Sequence, residues 1–290
     1  MGGRRRRWIG LLWLCAAAAA GVWGCQQAPN DPNSNGGLHF ENAETLRIAS
    51  ALPSVTETLY ALGLEDRIAA VTSNCDYPPE AKEKESIGDF SLNYEKIAAL
   101  KIDAVIGARG FTDAAADRLR ELGVQYAAMD SSNMDAVARS IKELGKAFGT
   151  EEKARELVQT FDAAIERAAA RAEGKKRPTV FWVQWNQPLS TVGPGNFHHD
   201  LIQKAGGENI AFDLGSAYAP FSEETLILRN PEILLVHGKA AAEWARRRFP
   251  SVEAVRSGRV YLFSFDEAAR PGPRLPAALD RLSQLLHPES

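Results

Sequence analysis

Two stretches of the sequence decide the fold: EKIAALKIDAVI at residues 95–106 and ETLILRNPEILL at residues 224–235. Each begins with a glutamate, continues as an apolar helical face, passes an acidic turn residue and ends in an apolar run. This order predicts a helix that leads into a buried strand. Because the second stretch begins 129 residues after the first, the sequence predicts two lobes of similar construction with a cleft between them.

Short apolar runs and helical segments alternate on both sides of these stretches. In the first half, strands are predicted at 46–49, 67–71, 104–107 and 125–129, and helices at 53–62, 95–100 and 113–122. In the second half, strands are predicted at 179–183, 233–236 and 260–263, and helices at 197–205, 239–247 and 275–286. Such alternation is typical of parallel sheets flanked by helices, so the predicted fold class is α/β. Ser54 and Glu57 match a capping box at the start of the first helix.

A long helix is predicted between the two halves. Residues 151–172 contain no glycine or proline and carry apolar residues at helical intervals, which predicts one helix of more than 20 residues. The resulting organisation is an N-terminal lobe at 46–150, a bridging helix at 151–173 and a C-terminal lobe at 174–290.

The first 24 residues are predicted to be an export signal. Arg4–Arg7 precede an apolar run that ends near Val22 and is shorter than the ~20 residues needed to span a bilayer. Gly24 followed by Cys25 resembles a bacterial lipobox, which predicts a lipid on Cys25. Cleavage without lipidation and an uncleaved anchor are the alternatives. Residues 25–45, which include QQAPNDPNSNGG, are predicted to form a flexible tether.

Charge and motif content exclude several classes of function. Without Arg4–Arg7, 30 basic residues stand against 37 acidic ones, a net charge of −7, whereas nucleic-acid binders normally carry a basic surplus. No G-x-S-x-G, H-E-x-x-H or paired-cysteine motif is present, so we expect no enzyme. With Cys15 in the predicted signal and Cys25 lipidated, Cys75 is the only cysteine left, and it is expected to be a small, part-buried residue. His198 and His199 are expected to follow a loop at a helix start, although one of them is a possible ligand to a metal in the cargo.

Five motifs carry a resemblance to a known family. They are, in order, LPSVTE at 52–57, CDYPP at 75–79, LNYE at 92–95, AGGENI at 205–210 and RPGPR at 270–274. Together they resemble the bacterial ABC-transporter solute-binding proteins for cobalamin, haem and ferric siderophores, and most closely the cobalamin-binding branch. The resemblance implies two Rossmann-like lobes with parallel sheets, joined by one rigid helix, with the ligand in the cleft between them.

The resemblance also implies roles for individual residues. Glu95 and Glu224 match the two glutamates, one per lobe, that dock onto arginines of the permease; a favourable helix-dipole position is the alternative explanation for each. Asp266 and Arg270 match a cleft pair that contacts the polar rim of the ligand; a surface ion pair is the alternative. Arg274 starts a helix, and a structural role is the alternative to ligand contact for it.

Aromatic residues are the other component that the resemblance implies. Trp185 is the first candidate for a wall of the cleft, followed by Phe90, Tyr77 and Phe221. Asn74 and Asp89 stand where better-known cobalamin binders place aromatic contacts, which leaves other large chelates open.

The expected function is that of a lipid-anchored, extracytoplasmic, monomeric receptor, on the periplasmic or outer face of the cell membrane, for an ABC permease and its ATPase. Its expected cargo is a corrinoid, with no resident cofactor or metal and no nucleic-acid partner. A ferric-siderophore or haem receptor is the first alternative. An extracellular enzyme or sensor domain on the same scaffold is the second.

Overall fold

The computed structural model describes Leu38 and residues 40–89, 91–263 and 266–289, without the side chain of Asp266. The predicted signal peptide, the predicted lipidation site Cys25 and the candidate wall residue Phe90 lie outside these residues. None of the helices within the described part of the chain is both long enough and apolar enough to cross a bilayer.

The N-terminal lobe is built on one parallel sheet. Its elements are β1 (Ile48–Ser50), α1 (Pro53–Ala61), β2 (Ile68–Val71), β3 (Glu85–Ser86), α2 (Tyr94–Ala99), β4 (Ala104–Ala108), α3 (Ala116–Glu121), β5 (Gln125–Met129) and α4 (Met134–Phe148). The strand order is β3-β2-β1-β4-β5, and every pairing is parallel. β4 is buried along its whole length, as expected for a parallel strand covered on both faces.

A single helix, α5 (Glu151–Ala172), connects the two lobes as predicted. Its buried residues recur every three or four positions, at Ala154, Val158, Phe161, Ala164 and Ala168, so one stripe packs against the protein.

The C-terminal lobe contains a parallel sheet and a smaller antiparallel sheet. Its elements are β6 (Thr179–Val183), β7 (Trp185–Asn186), β8 (Leu189–Val192), α6 (Phe197–Lys204), β9 (Glu208–Asn209), β10 (Tyr218–Pro220), α7 (Glu223–Arg229), β11 (Ile233–Val236), α8 (Gly238–Arg248), α9 (Glu253–Arg256), β12 (Val260–Leu262), α10 (Asp266–Ala269) and α11 (Leu275–Leu286). The parallel order is β12-β11-β6-β9, and the antiparallel order is β10-β8-β7. The prediction of two α/β lobes with parallel sheets is confirmed, and the antiparallel sheet is an addition to it.

The lobes share one hydrophobic core, and a hydrogen bond also connects them. The largest buried cluster runs from Ile48 in the first sheet through Phe161 of α5 to Trp182 in the second sheet. On α6, Asp200 accepts a hydrogen bond from the backbone amide of Met134 at 2.9 Å. Such a shared core limits how far the lobes can separate.

The predicted capping box at the start of α1 is wrong. The N-cap is Leu52, no side chain caps the helix, and Pro53 occupies its first turn, where a missing N–H costs nothing. Glu57 instead turns away from the helix start, towards the other lobe.

Candidate functional site

Segments that follow parallel strands of the two lobes contact each other between the lobes. Arg270 follows β12 in the C-terminal lobe, and it contacts Glu57 in α1 and Asp76 in the loop after β2. Both N-terminal partners therefore follow a strand at its carboxyl end. Ligands of open α/β sheets bind outside these ends, so the inter-lobe region at Arg270 is the candidate site.

Glu57 is a buried carboxylate shared by two arginines. Its side chain is 1% exposed, and it accepts from Nη1 of Arg270 at 3.0 Å. It also accepts from Nε and Nη2 of Arg274 at 2.8 and 2.6 Å. A buried carboxylate is tolerated only when it is paired and hydrogen-bonded. Glu57 therefore ties the start of the N-terminal lobe to the end of the C-terminal lobe.

Arg270 has a second acidic partner, in a different environment. The same Nη1 atom lies 2.7 Å from Oδ1 of Asp76, whose side chain is 45% exposed. Hydrogen bonding from Arg270 lowers the pKa of Asp76 below its usual value. Among the described residues, Nε and Nη2 of Arg270 donate to no acceptor, so this guanidinium has donors to spare.

Tyr77 lies beside this ion cluster. The guanidinium carbon of Arg274 is 4.1 Å from the centre of its ring, a cation–π distance, and its side chain remains part exposed. A groove of about 710 Å³ adjoins the cluster, lined by Glu57 and Tyr77 from one lobe and Arg274 from the other.

Exposed aromatic residues line one face of the antiparallel sheet. Trp185, on β7, is 64% exposed and pairs across the sheet with Ser190, which pairs in turn with Pro220. Tyr218 lies two residues before Pro220, so it shares that face with Trp185. Tyr218 is 43% exposed. The structure thus adds Tyr218 to the aromatic residue that the sequence singled out.

The other aromatic candidates are placed differently. Phe221 is half-buried, with its ring centre 4.9 Å from that of Phe181 in the core of the C-terminal lobe, so much of its surface already packs within the protein. Phe111, which the sequence reading missed, is 61% exposed in the loop after β4.

Two histidines near the site have their protonation set by burial. His198 is fully buried, with Nε2 2.8 Å from the carbonyl oxygen of Ala268 and its ring stacked on Trp182. Burial lowers the pKa of His198 to about 3. His237 follows β11, and burial lowers its pKa as well. Among the described residues, no group of three or more His, Cys, Asp or Glu side chains is arranged to hold a metal ion.

The two predicted docking glutamates occupy matching positions. Glu95 and Glu224 are each the second residue of a helix, α2 and α7, and both are exposed. The N-cap side chains, Asn93 and Ser222, each accept from the backbone amide three residues on. In crossover units a helix runs antiparallel to its strands, so these helix starts lie at the carboxyl edges of the sheets.

The role of Glu57 is not predicted from the sequence, because it depends on a partner that is distant in the chain. Glu57 is 213 residues from Arg270 in the chain. One signal was available: a glutamate within PSVTETLYAL sits among residues that are otherwise uncharged, and a charge in such a setting needs a counter-ion.

Two α/β lobes, an ion cluster between them and a polar and aromatic groove lined by both define a two-lobed solute-binding protein. The periplasmic binding protein family profile matches residues 48–266, and the chain belongs to this family. The predicted family is therefore confirmed. Its members are transport components rather than enzymes.

Individual relatives agree with this assignment. The chain is 30% identical over 257 residues to YvrC, an uncharacterized ABC transporter substrate-binding lipoprotein of Bacillus subtilis, covering 85% of this chain and 82% of the relative. It is similar to the vitamin B12 binding protein BtuF of Vibrio cholerae, with a TM-score of 0.76 and 26% identity, covering 84% of this chain and 97% of that one. It is also similar to the periplasmic heme-binding protein RhuT of Roseiflexus, with a TM-score of 0.73 and 26% identity, covering 84% and 98%. The chain is an ABC substrate-binding protein of the cobalamin, siderophore and haem group, and this class acts outside the cytoplasm with a permease, an ATPase and a ligand.

Proposed function

We propose that this protein captures a cobalamin-type corrinoid outside the cell membrane and delivers it to an ABC permease. The observation that carries the proposal is the combination of broad aromatic surface, at Trp185 and Tyr218, with the spare donors of Arg270. A corrin ring presents apolar faces and a rim of neutral amides, so its site needs flat apolar walls and both donors and acceptors.

In this proposal Trp185, Tyr218 and Tyr77 contact the ring or its substituents, and Phe90 and Phe221 complete the wall. Arg270 donates to amide oxygens of the rim, and Asp266 accepts from amide N–H groups. No resident cofactor or metal takes part; the metal enters only as part of the cargo. The similarity to BtuF, a vitamin B12 binding protein, favours a corrinoid.

Delivery is proposed to use Glu95 and Glu224 as a pair of acidic contacts for basic residues on the permease. Their support is their exposure and their equivalent positions on α2 and α7. Attachment through a lipid on Cys25, with residues 25–37 as the tether of a monomeric receptor, completes the proposal. The predicted tether of residues 25–45 is too long, because Leu38 and Phe40 are buried in the hydrophobic core. Mass spectrometry of the N-terminal peptide from membranes should find the lipid on Cys25; an unmodified peptide would refute the anchor.

The second candidate cargo is haem or a ferric siderophore. Similarity to the heme-binding protein RhuT favours haem over a siderophore. His237, half-buried after β11, is a possible axial ligand for haem because burial favours its neutral, metal-binding form.

A binding titration tests the choice. The full-length chain, purified in detergent, is titrated with cyanocobalamin, haemin and ferric siderophores by calorimetry and by quenching of tryptophan fluorescence. Cyanocobalamin should bind at least tenfold more tightly than the other probes. Preferential binding of haemin or of a siderophore would transfer the assignment to that ligand, and a Soret shift lost in His237→Ala would identify haem ligation.

A further inference from the structure

One nitrogen of Arg270 contacts two carboxylates whose exposure to solvent differs sharply. Nη1 donates to Oε1 of Glu57 at 3.0 Å and lies 2.7 Å from Oδ1 of Asp76. The Glu57 side chain is 1% exposed, and that of Asp76 is 45% exposed. One partner is therefore inside the protein and the other faces solvent at the edge of the proposed cleft.

The two contacts differ in how easily they can be given up. Breaking an ion pair that is part exposed costs little, because water solvates both charges once they separate. Removing Arg270 from Glu57 would leave a buried carboxylate with fewer partners, which costs far more. An incoming ligand can thus displace Asp76 much more readily than Glu57.

We propose that the Asp76 carboxylate competes with the ligand for Arg270, and that Glu57 is the positioning residue that holds Arg270 in place during the exchange. The inference rests on the proposed function, because it requires a ligand that reaches Arg270. On binding, an acceptor oxygen of the ligand replaces the Asp76 carboxylate, while the bonds from Arg270 and Arg274 to Glu57 persist.

The exchange has a consequence for selectivity. Ionised Asp76 is a strong acceptor for a guanidinium, and its lowered pKa keeps it ionised at neutral pH. A ligand gains from Arg270 only the difference between its own acceptor and this carboxylate. Asp76 therefore weakens binding of every ligand that displaces it by the same free energy, and ligands with neutral acceptors such as amides keep the smallest net gain from Arg270.

The inference predicts that substitutions of the two carboxylates change ligand affinity in opposite directions. In the full-length chain, Asp76→Asn should bind cyanocobalamin about two- to fivefold more tightly, mainly through faster association, because a part-exposed pair is no longer broken. Glu57→Gln should bind it at least tenfold more weakly and release it faster. Asp117→Asn removes the same charge from an exposed site on α3 and should change affinity less than twofold.

A purely structural role for these residues predicts something else. If both carboxylates only stabilise the fold, both variants lower the unfolding temperature and neither tightens binding; unchanged or weaker binding in Asp76→Asn would overturn the inference. If Glu57→Gln fails to fold, Arg270→Lys replaces it in the test. The gain from Asp76→Asn should then disappear in the Arg270→Lys background, and its persistence would also overturn the inference.

The outcome separates this inference from the proposed function. Should wild-type protein bind haemin rather than cyanocobalamin, the same variants are titrated with haemin and the same opposite changes are expected. Binding in wild type with no gain in Asp76→Asn refutes the exchange but leaves the transport function intact. Absence of binding to every probe refutes both.

Discussion

The unit α2–β4 of the N-terminal lobe and the unit α7–β11 of the C-terminal lobe share a backbone plan but differ on the surface. In both, an N-cap side chain precedes an exposed glutamate, and one apolar residue, Ile97 or Leu226, is completely buried. In both, a residue of positive φ follows within two residues of the helix end, Lys101 at 51° and Asn230 at 44°. The buried and conformationally restricted positions are those that the fold requires.

The outward faces of the two helices are not equivalent. Three and four residues after Glu224 lie Ile227 and Leu228, which are 45% and 84% exposed. The matching positions after Glu95 are the exposed alanines Ala98 and Ala99. Residues three and four apart share a helix face, so the glutamate of the C-terminal lobe lies beside a large apolar surface and that of the N-terminal lobe does not. The shared charge and the unshared apolar surface can therefore be tested separately.

Removal of both glutamates should have the largest effect. Glu95→Ala combined with Glu224→Ala should abolish cobalamin uptake in a strain that depends on this protein, because the permease loses both acidic contacts at once. Ligand affinity should stay within twofold of wild type, since neither side chain touches the cluster around Arg270. Uptake in whole cells and calorimetry on the purified chain provide the two measurements.

The matched control removes one exposed helical glutamate from each lobe at other sites, Glu121→Ala with Glu243→Ala. It carries the same change in net charge and should transport normally. Normal uptake in the first double variant would disprove the docking role and leave only the helix-dipole explanation for the repeat.

Low pH should destabilise the C-terminal lobe more than the N-terminal lobe, because the described histidines lie in the C-terminal lobe. Burial lowers the pKa of all four, His198, His199, His237 and His287. A pKa lower in the folded state means that the stabilisation is complete above the unfolded pKa, near 6.5, and is lost as the pH falls below it. For His198, with a folded pKa of about 3, the loss between pH 6.5 and 4.5 is about 2–3 kcal/mol.

Urea unfolding at pH 7.0 and 4.5 measures this loss, and hydrogen exchange locates it. Amides of β6 and β11 should lose protection before those of β1 and β4. His198→Gln retains a donor for the carbonyl oxygen of Ala268 but does not titrate, so the pH dependence should flatten. Earlier loss of protection in the N-terminal lobe would show that its carboxylates, rather than these histidines, control acid stability.

The comparison of the lobes also explains how much the sequence could reveal. Helix α5 and strands β5, β6 and β11 are predicted with their observed ends, because each is a long helical stripe or a largely apolar run. The antiparallel sheet is missed because β7, β8 and β10 contain only two to four residues and mix polar with apolar ones. The equally short β1 and β12 are predicted because they lie in largely apolar runs. Short strands of this kind are fixed by their neighbours rather than by their own pattern.

At the site, residue types are predictable but their pairings are not. The sequence places Arg270 after the last strand, where the structure finds the inter-lobe cluster, yet the same sequence assigns Glu57 to a capping box. A serine followed three residues later by a glutamate fits both a capping box and a glutamate that pairs with a distant arginine. Only the position of the other lobe shows which of the two applies to Glu57. The roles of Asp266 and Phe90 stay predictions.

The smallest expected effect concerns the apolar surface beside Glu224. Leu228→Ala should weaken the complex with the permease, reconstituted in nanodiscs, about five- to tenfold, because burying a leucine in an interface contributes about 1–2 kcal/mol. Its side chain is 84% exposed in the free protein, so truncation leaves no cavity and the unfolding temperature should not change.

A leucine introduced on α2 of the N-terminal lobe tests whether the permease needs the apolar surface on one helix only. Ala99→Leu supplies the N-terminal lobe with the leucine that the C-terminal lobe already has. If the permease contacts the two helices through different surfaces, a leucine on α2 meets no complementary pocket. The affinity for the permease then stays constant or falls. If the permease surface is the same on both sides, as a symmetric pair of permease subunits would offer, Ala99→Leu should strengthen the complex by about the factor that Leu228→Ala costs. An effect of neither substitution would mean that the glutamates dock alone and that Leu228 lies outside the contact.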